Sequence, residues 1–154
     1  MASSYDALRV ARHDGLTHPG RHDVFRLPAQ NASVADARGR VRARLREWGV
    51  DLEVTDDAGL VVTELFTNAV RHTDSEKITC SLWALGRVLR LEVADQGDGP
   101  TEPRSRSAEF DEECGRGLLL VSVLSKAWGA GPTEDGMGRV VWAELACAPA
   151  RRYP

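Results

Sequence analysis

Leu60-Val61-Val62-Thr63-Glu64-Leu65-Phe66-Thr67-Asn68-Ala69-Val70-Arg71-His72, read as LVVTELFTNAVRH, sets the first problem of this chain. Its apolar residues, with Ala58 before them, recur as Ala58, Val61, Val62, Leu65 and Ala69, the stripe of a helix packed on a core. Yet Glu64 and Asn68, one turn apart, share a helical face, and His72 continues their line. Either that face meets water or it meets something that uses a carboxylate and an amide. Thr55-Asp56-Asp57 supplies caps and negative charge for the start of this helix, and Arg71 and His72 suit its C-terminal end.

Working outward, His22 to Leu27 reads as a short strand ended by Pro28. A second helix precedes the first, with Asn31 or Ser33 as cap, Val34, Ala37, Val41, Leu45 and Trp48 at helical spacing, and Gly49 as its stop. Arg38, Arg40, Arg42, Arg44 and Arg46 make it basic, which is the usual composition of a solvated face. After the central helix, Ile78, Cys80, Leu82 and Ala84 alternate with polar residues. Gly86-Arg87 turns the chain, and Leu89, Leu91 and Val93 alternate in a second strand, predicting a hairpin that ends in Asp95-Gln96-Gly97-Asp98-Gly99-Pro100. Residues 100 to 114 are polar and predict a mobile loop. Gly115-Arg116-Gly117 opens a third helix over LLLVSVLSKAWG. Two more strands follow, around Ala130 to Thr133 and Arg139 to Leu145, with EDGMG as the turn. The order β-α-α-β-β-loop-α-β-β predicts a two-layer α/β sandwich, a mostly antiparallel sheet covered on one face by helices.

The 154 residues suit one domain with a sizeable core, expected over 21–146 between a leader, 1–20, and a tail, 147–154. A net charge of −3 gives no general attraction to nucleic acid or to an anionic membrane. No apolar run is long enough to span a bilayer, and the N-terminal segment lacks the apolar centre of a secretory signal. Cys80, Cys114 and Cys147 are odd in number and far apart, which suits reduced thiols and a cytoplasmic location. None belongs to a CxxC pair, so they do not read as a zinc site.

Three polar clusters remain once the core is assigned: Glu64 with Asn68, Asp95-x-Gly97-x-Gly99, and Gly115-x-Gly117. An Asn oxygen is a hard ligand suited to Mg2+, which takes few protein ligands. A carboxylate one turn earlier can receive a proton. An acid at a strand end, followed by glycines that admit a ring, can accept the amino protons of adenine. A glycine pair at a helix N-terminus offers amides and a positive dipole end to phosphates. Each element alone is weak, because a glycine pair before a helix often marks only a turn. Their order and spacing together describe a nucleotide site.

ELxxNAxxH, DxGxG and GxGLxLV, in that order, resemble the Bergerat-type ATP-binding fold of gyrase, heat-shock chaperones and sensor histidine kinases. The resemblance runs from about residue 22 to 146. Among the branches, the chain looks like the stand-alone bacterial anti-sigma factor serine/threonine kinases. That resemblance implies ATP and Mg2+ as ligands, with Asn68 holding the metal and Glu64 acting as general base. It implies that Asp95 binds the adenine amino group beside Gly97 and Gly99, and that Gly115, Arg116, Gly117 and Leu118 close on the phosphates under a 100–114 lid. Arg104, Arg106 and Arg116 are alternative phosphate contacts, and His72 takes a supporting place. The implied partners are a sigma factor and an anti-sigma factor antagonist; the family tends to pair through the sheet as a homodimer, while the sequence leaves the oligomeric state of this chain open. A non-catalytic ATP-binding regulator and a detached histidine-kinase ATPase half are the alternatives. One departure stands out: where relatives carry Thr in a G-K-T-V-W pattern, Gly138-Arg139-Val140-Val141-Trp142 places Val140, which predicts that one adenine-side hydrogen bond is missing or supplied through water.

Overall fold

The computed structural model describes residues 21–95, 115–134 and 136–147. Its elements run β1 (Arg21–Pro28), α1 (Ser33–Glu47), α2 (Leu52–His72), β2 (Lys77–Leu85), β3 (Val88–Asp95), α3 (Gly115–Leu124), β4 (Ala127–Pro132) and β5 (Arg139–Ala146). The expected order of strands and helices is therefore present. The five strands form one sheet in the order β1-β2-β3-β5-β4, with every neighbouring pair antiparallel. Among the described residues, no helix is long and apolar enough to cross a membrane.

The core lies between the helices and one face of the sheet. Alternation along the strands sends Ile78, Cys80 and Leu82 from β2, and Leu89, Leu91 and Val93 from β3, to that face. Val141, Ala143 and Leu145 of β5 continue it. From above, α2 contributes Ala58, Val61, Val62, Leu65 and Ala69, as its spacing requires, and α1 adds Ala37, Val41 and Leu45. Leu118 and Val121 of α3 complete the layer.

Local signals are less faithful at element ends. Neither Asn31 nor Ser33 caps α1; its preceding residue, Ala32, is already helical and makes no side-chain cap. A tight backbone turn replaces the cap, with the Gln30 and Asn31 carbonyls accepting from the Ser33 and Val34 amides. Likewise α2 starts at Leu52, ahead of Thr55-Asp56-Asp57. Thr55 is buried within it and Asp56 pairs with Arg42 of α1 at 2.9 Å instead of capping. Gly49, at φ 75°, does end α1: the Val50 amide returns to the Leu45 carbonyl, a closure that glycine's left-handed backbone permits. The third helix is shorter than its sequence suggests. It stops at Leu124, because the Lys126 amide donates to the Glu144 carbonyl and draws Ala127 and Trp128 into β4.

The opposite face of the sheet carries charge and aromatic surface. Arg90 of β3 donates from Nε to Glu92 at 2.8 Å and from Nη1 to Glu144 of β5 at 2.7 Å. Its guanidinium lies 4.3 Å from the Trp142 ring centre, and Arg90 and Glu144 are each 1% exposed. Trp142 in turn lies against Gly129 of β4, where a side chain would leave no room for the ring. At the β1 edge, His22 stacks on Trp83 with centroids 4.8 Å apart.

Candidate functional site

Asn68 lies on the core-facing side of α2, three residues beyond Leu65, and is 6% exposed. An amide in that position needs polar partners. Its Nδ2 is buried and has none among the described residues. The two ends of an amide are assigned by their hydrogen-bond surroundings. An Asn with an unsatisfied end in the core layer is therefore a group whose partner the described residues do not supply. Glu64, one turn earlier and about 6 Å along the axis, is half-buried. His72 closes the last turn of the helix, also half-buried.

Asp95 is the last residue of β3 and is 7% exposed. By alternation it shares the helix-covered face with Leu89, Leu91 and Val93. Its Oδ1 accepts from the Arg139 amide at 2.9 Å. The other oxygen, Oδ2, has no partner among the described residues.

Connectivity brings the described members of the three clusters, Asn68, Asp95 and the first turn of α3, to one end of the sheet. The C-terminus of α2 is joined to β2 by residues 73–76 only, and the start of β2 pairs with the end of β3 through Ile78 and Asp95. Asn68 and Asp95 thus share both the face and the end of the sheet. The C-terminus of α3 leads through Ser125 and Lys126 into Ala127, which pairs with Glu144 at the far end. With ten residues α3 rises about 15 Å, so its N-terminus returns to the Asp95 end. Gly115, Arg116 and Gly117 form the first turn of α3, and Leu118, one residue on, is buried beneath it. A helix N-terminus at that place presents unpaired amides and the positive end of a dipole. Gly97, Gly99, Arg104, Arg106 and the 100–114 loop lie outside the described residues.

Two features of the site differ from the sequence reading. Val140 pairs with Ala94 of β3 and Gly131 of β4. It is buried on the face opposite Asp95, so it does not occupy the adenine-side position assigned to it. A one-residue step in a strand reverses the face. The residue on Asp95's face at this level is Arg139, which sequence reading passed over. Counting by twos from the buried Val141 would have found it.

Among the described residues no group of three or more His, Cys, Asp or Glu is placed to hold a metal ion. Burial raises the Cys80 thiol to about 12 and also raises that of Cys147, with Asp51 adding to the latter, so both stay protonated and unreactive.

A family model described as a histidine kinase-like ATPase domain matches residues 27–144. Among solved structures, that of the RsbU and RsbW domains of Rv1364c from Mycobacterium tuberculosis superposes with a TM-score of 0.62 at 20% sequence identity. The match covers 87% of this chain and 35% of that one, so the chain spans about a third of the neighbour's length, and at this identity the likeness concerns the fold. No curated protein matches in sequence.

Proposed function

The chain belongs to the histidine kinase-like ATPase domain family, and on that premise we propose that it is an ATP-dependent protein serine/threonine kinase acting as an anti-sigma factor. ATP lies between α2 and the end of β3, its base against Asp95 and its phosphates toward the first turn of α3. The observation that carries this reading is the buried Asn68 amide with an unsatisfied end, on the same face and at the same end of the sheet as Asp95.

The donor set fits Mg2+ as a guest that arrives with phosphate. Asn68 offers one hard oxygen, no carboxylate cluster stands ready among the described residues, and Mg2+ prefers one or two protein ligands completed by phosphates and water. When bound, the ion neutralises charge on the phosphate oxygens. The protein's own share is positioning, which dominates phosphoryl transfer. Asp95 fixes the base, the α3 amides hold the phosphates, and Glu64 faces the hydroxyl of an incoming Ser or Thr. That oxygen bonds to the γ-phosphorus as the bridge to ADP breaks, and its proton passes to the Glu64 carboxylate.

The acceptor is an anti-sigma factor antagonist, and the sequestered partner is a sigma factor. Both follow the resemblance of the ELxxNAxxH, DxGxG and GxGLxLV run to the anti-sigma factor kinases.

Incubation with γ-labelled ATP and candidate antagonist proteins tests the proposal. Label on a Ser or Thr of an antagonist supports it. ATP binding without transfer to any antagonist would leave a nucleotide-binding regulator in its place.

A further inference from the structure

The contact between Arg139 and Asp95 departs from an ordinary strand ladder. One step inside the sheet, Ala94 pairs with Val140. At the next level the Arg139 amide donates to the Asp95 side chain, 2.9 Å from Oδ1. The frame that delivers this amide is rigid on its other flank. There the Thr133 amide donates to the Gly138 carbonyl at 3.0 Å, and the Gly138 amide donates to the Thr133 hydroxyl at 3.0 Å. The β4–β5 hairpin is thus clamped immediately before β5 begins, and its first amide is held toward β3.

That arrangement occupies one lone pair of Oδ1, weakens it as an acceptor for anything else, and sets the plane of the carboxylate. Among the described residues, Oδ2 is the acceptor left fully open for a ligand. A base meeting Asp95 finds one fully open oxygen instead of an even two-oxygen fork. Adenine presents a single exocyclic amino group flanked by ring acceptors, and one open oxygen serves it. Guanine presents N1–H and an amino group side by side, and its best partner is a carboxylate with both oxygens open.

We infer that the Arg139 backbone amide is the positioning group that makes Asp95 a single-acceptor carboxylate and so selects adenine over guanine nucleotides. The inference rests on the nucleotide-site reading above and adds the source of its base preference. Any residue but proline supplies this amide, which is why a search for a particular side chain at β5 does not find it.

Two variants separate amide from side chain. Arg139→Pro removes the donor, and proline is tolerated at the first residue of a strand. Arg139→Ala removes only the guanidinium. ATP and GTP affinities are measured calorimetrically for both variants and the parent, with circular dichroism as a check on folding. The parent is expected to prefer ATP by about tenfold or more. Arg139→Ala keeps that ratio within about threefold. Arg139→Pro loses about tenfold in ATP affinity and brings the ratio near unity. A folded Arg139→Pro protein with parental ATP and GTP affinities overturns the inference, as does an Arg139→Ala protein as impaired as Arg139→Pro. Should Arg139→Pro fail to fold, inosine triphosphate decides the matter in the parent. Inosine lacks the guanine amino group, so a single acceptor binds the two alike, within about threefold. GTP binding about tenfold tighter than inosine triphosphate reveals a two-oxygen fork and overturns the inference. A parent that binds ATP and GTP equally refutes this inference alone. A parent that binds no nucleotide refutes the reading beneath it as well.

Discussion

Arg90→Met is expected to be among the most damaging single substitutions on the helix-free face of the sheet. Arg90 makes two charge-assisted hydrogen bonds, to Glu92 and Glu144, at 2.8 and 2.7 Å, with its guanidinium over Trp142. Exposed pairs contribute about 0–1 kcal/mol. That figure does not apply here, because Arg90 and Glu144 are each 1% exposed. Removing one partner from a buried set strands the other charges, at a cost of about 3–5 kcal/mol. Two carboxylates are left on neighbouring positions with no counter-charge, which places the effect toward the upper end. At about 2–4 °C per kcal/mol for a chain of this size, the melting temperature falls by roughly 6–20 °C. Replacing the whole set with apolar residues of similar bulk, as Arg90→Met with Glu92→Val and Glu144→Leu, removes the stranded charges and returns stability to within about 1–2 kcal/mol of the parent. Urea unfolding followed by tryptophan fluorescence measures both proteins. A loss below about 1 kcal/mol for Arg90→Met, or a triple variant as unstable as the single one, refutes the account.

Other outcomes follow from single contacts. Gly129→Ala places a Cβ 2.8 Å from Cζ2 of Trp142, so the ring must slide off its bed; a loss of about 1–3 kcal/mol is expected by thermal unfolding. Cys80 ionises near 9 when unfolded but only at about 12 when folded. The unfolded chain therefore binds fewer protons above pH 9, and stability falls by about 1.4 kcal/mol per pH unit from there toward pH 12. Cys80→Ala removes that slope, and a difference in slope of zero between the two proteins contradicts it. Val140→Thr, on the face away from Asp95, costs about 1–3 kcal/mol of stability for a buried hydroxyl yet leaves the ATP Kd unchanged; a tighter Kd restores the adenine-side role. Asn68→Ala abolishes Mg2+-dependent ATP binding, whereas Glu64→Ala keeps ATP binding and slows transfer by about 10²–10⁴, readable with labelled ATP.

The sequence declared its layers through periodicity. In α2, Val61, Leu65 and Ala69 could face only a core, and in β3 Leu89, Leu91 and Val93 could face only one side of a sheet. Boundaries were harder, because they are decided by groups distant in sequence. Lys126 leaves helix α3 for the Glu144 carbonyl, and nothing near Lys126 signals that acceptor. Asn68 and Asp95 were legible as polar residues at places where a core was expected. Arg139 was not, because it contributes an amide that every residue but proline has. Val140 was misplaced by one position, and in a strand one position means the opposite face. The Arg90 set was invisible for a related reason: Arg90 and Glu92 read as the solvated half of an alternating strand, and only the register with β5 brings Glu144 to them.

The β5–β3 contact also bears on when the site comes into being. Asp95 belongs to a hairpin, β2–β3, whose strands are adjacent in the chain and can pair early. The group that orients it arrives with β5, after α3 and β4 have been placed between. A chain that has formed the hairpin and α2 holds Asn68 and Asp95 without the lock on Asp95. Nucleotide affinity then rises only as the last strand docks, so a ligand that prefers the locked carboxylate favours the fully assembled sheet over every partial one. By mass action that preference reaches about 2.7 kcal/mol at a hundred times Kd. Saturating ligand would accordingly protect β4 and β5, the strands added last, more than the early hairpin.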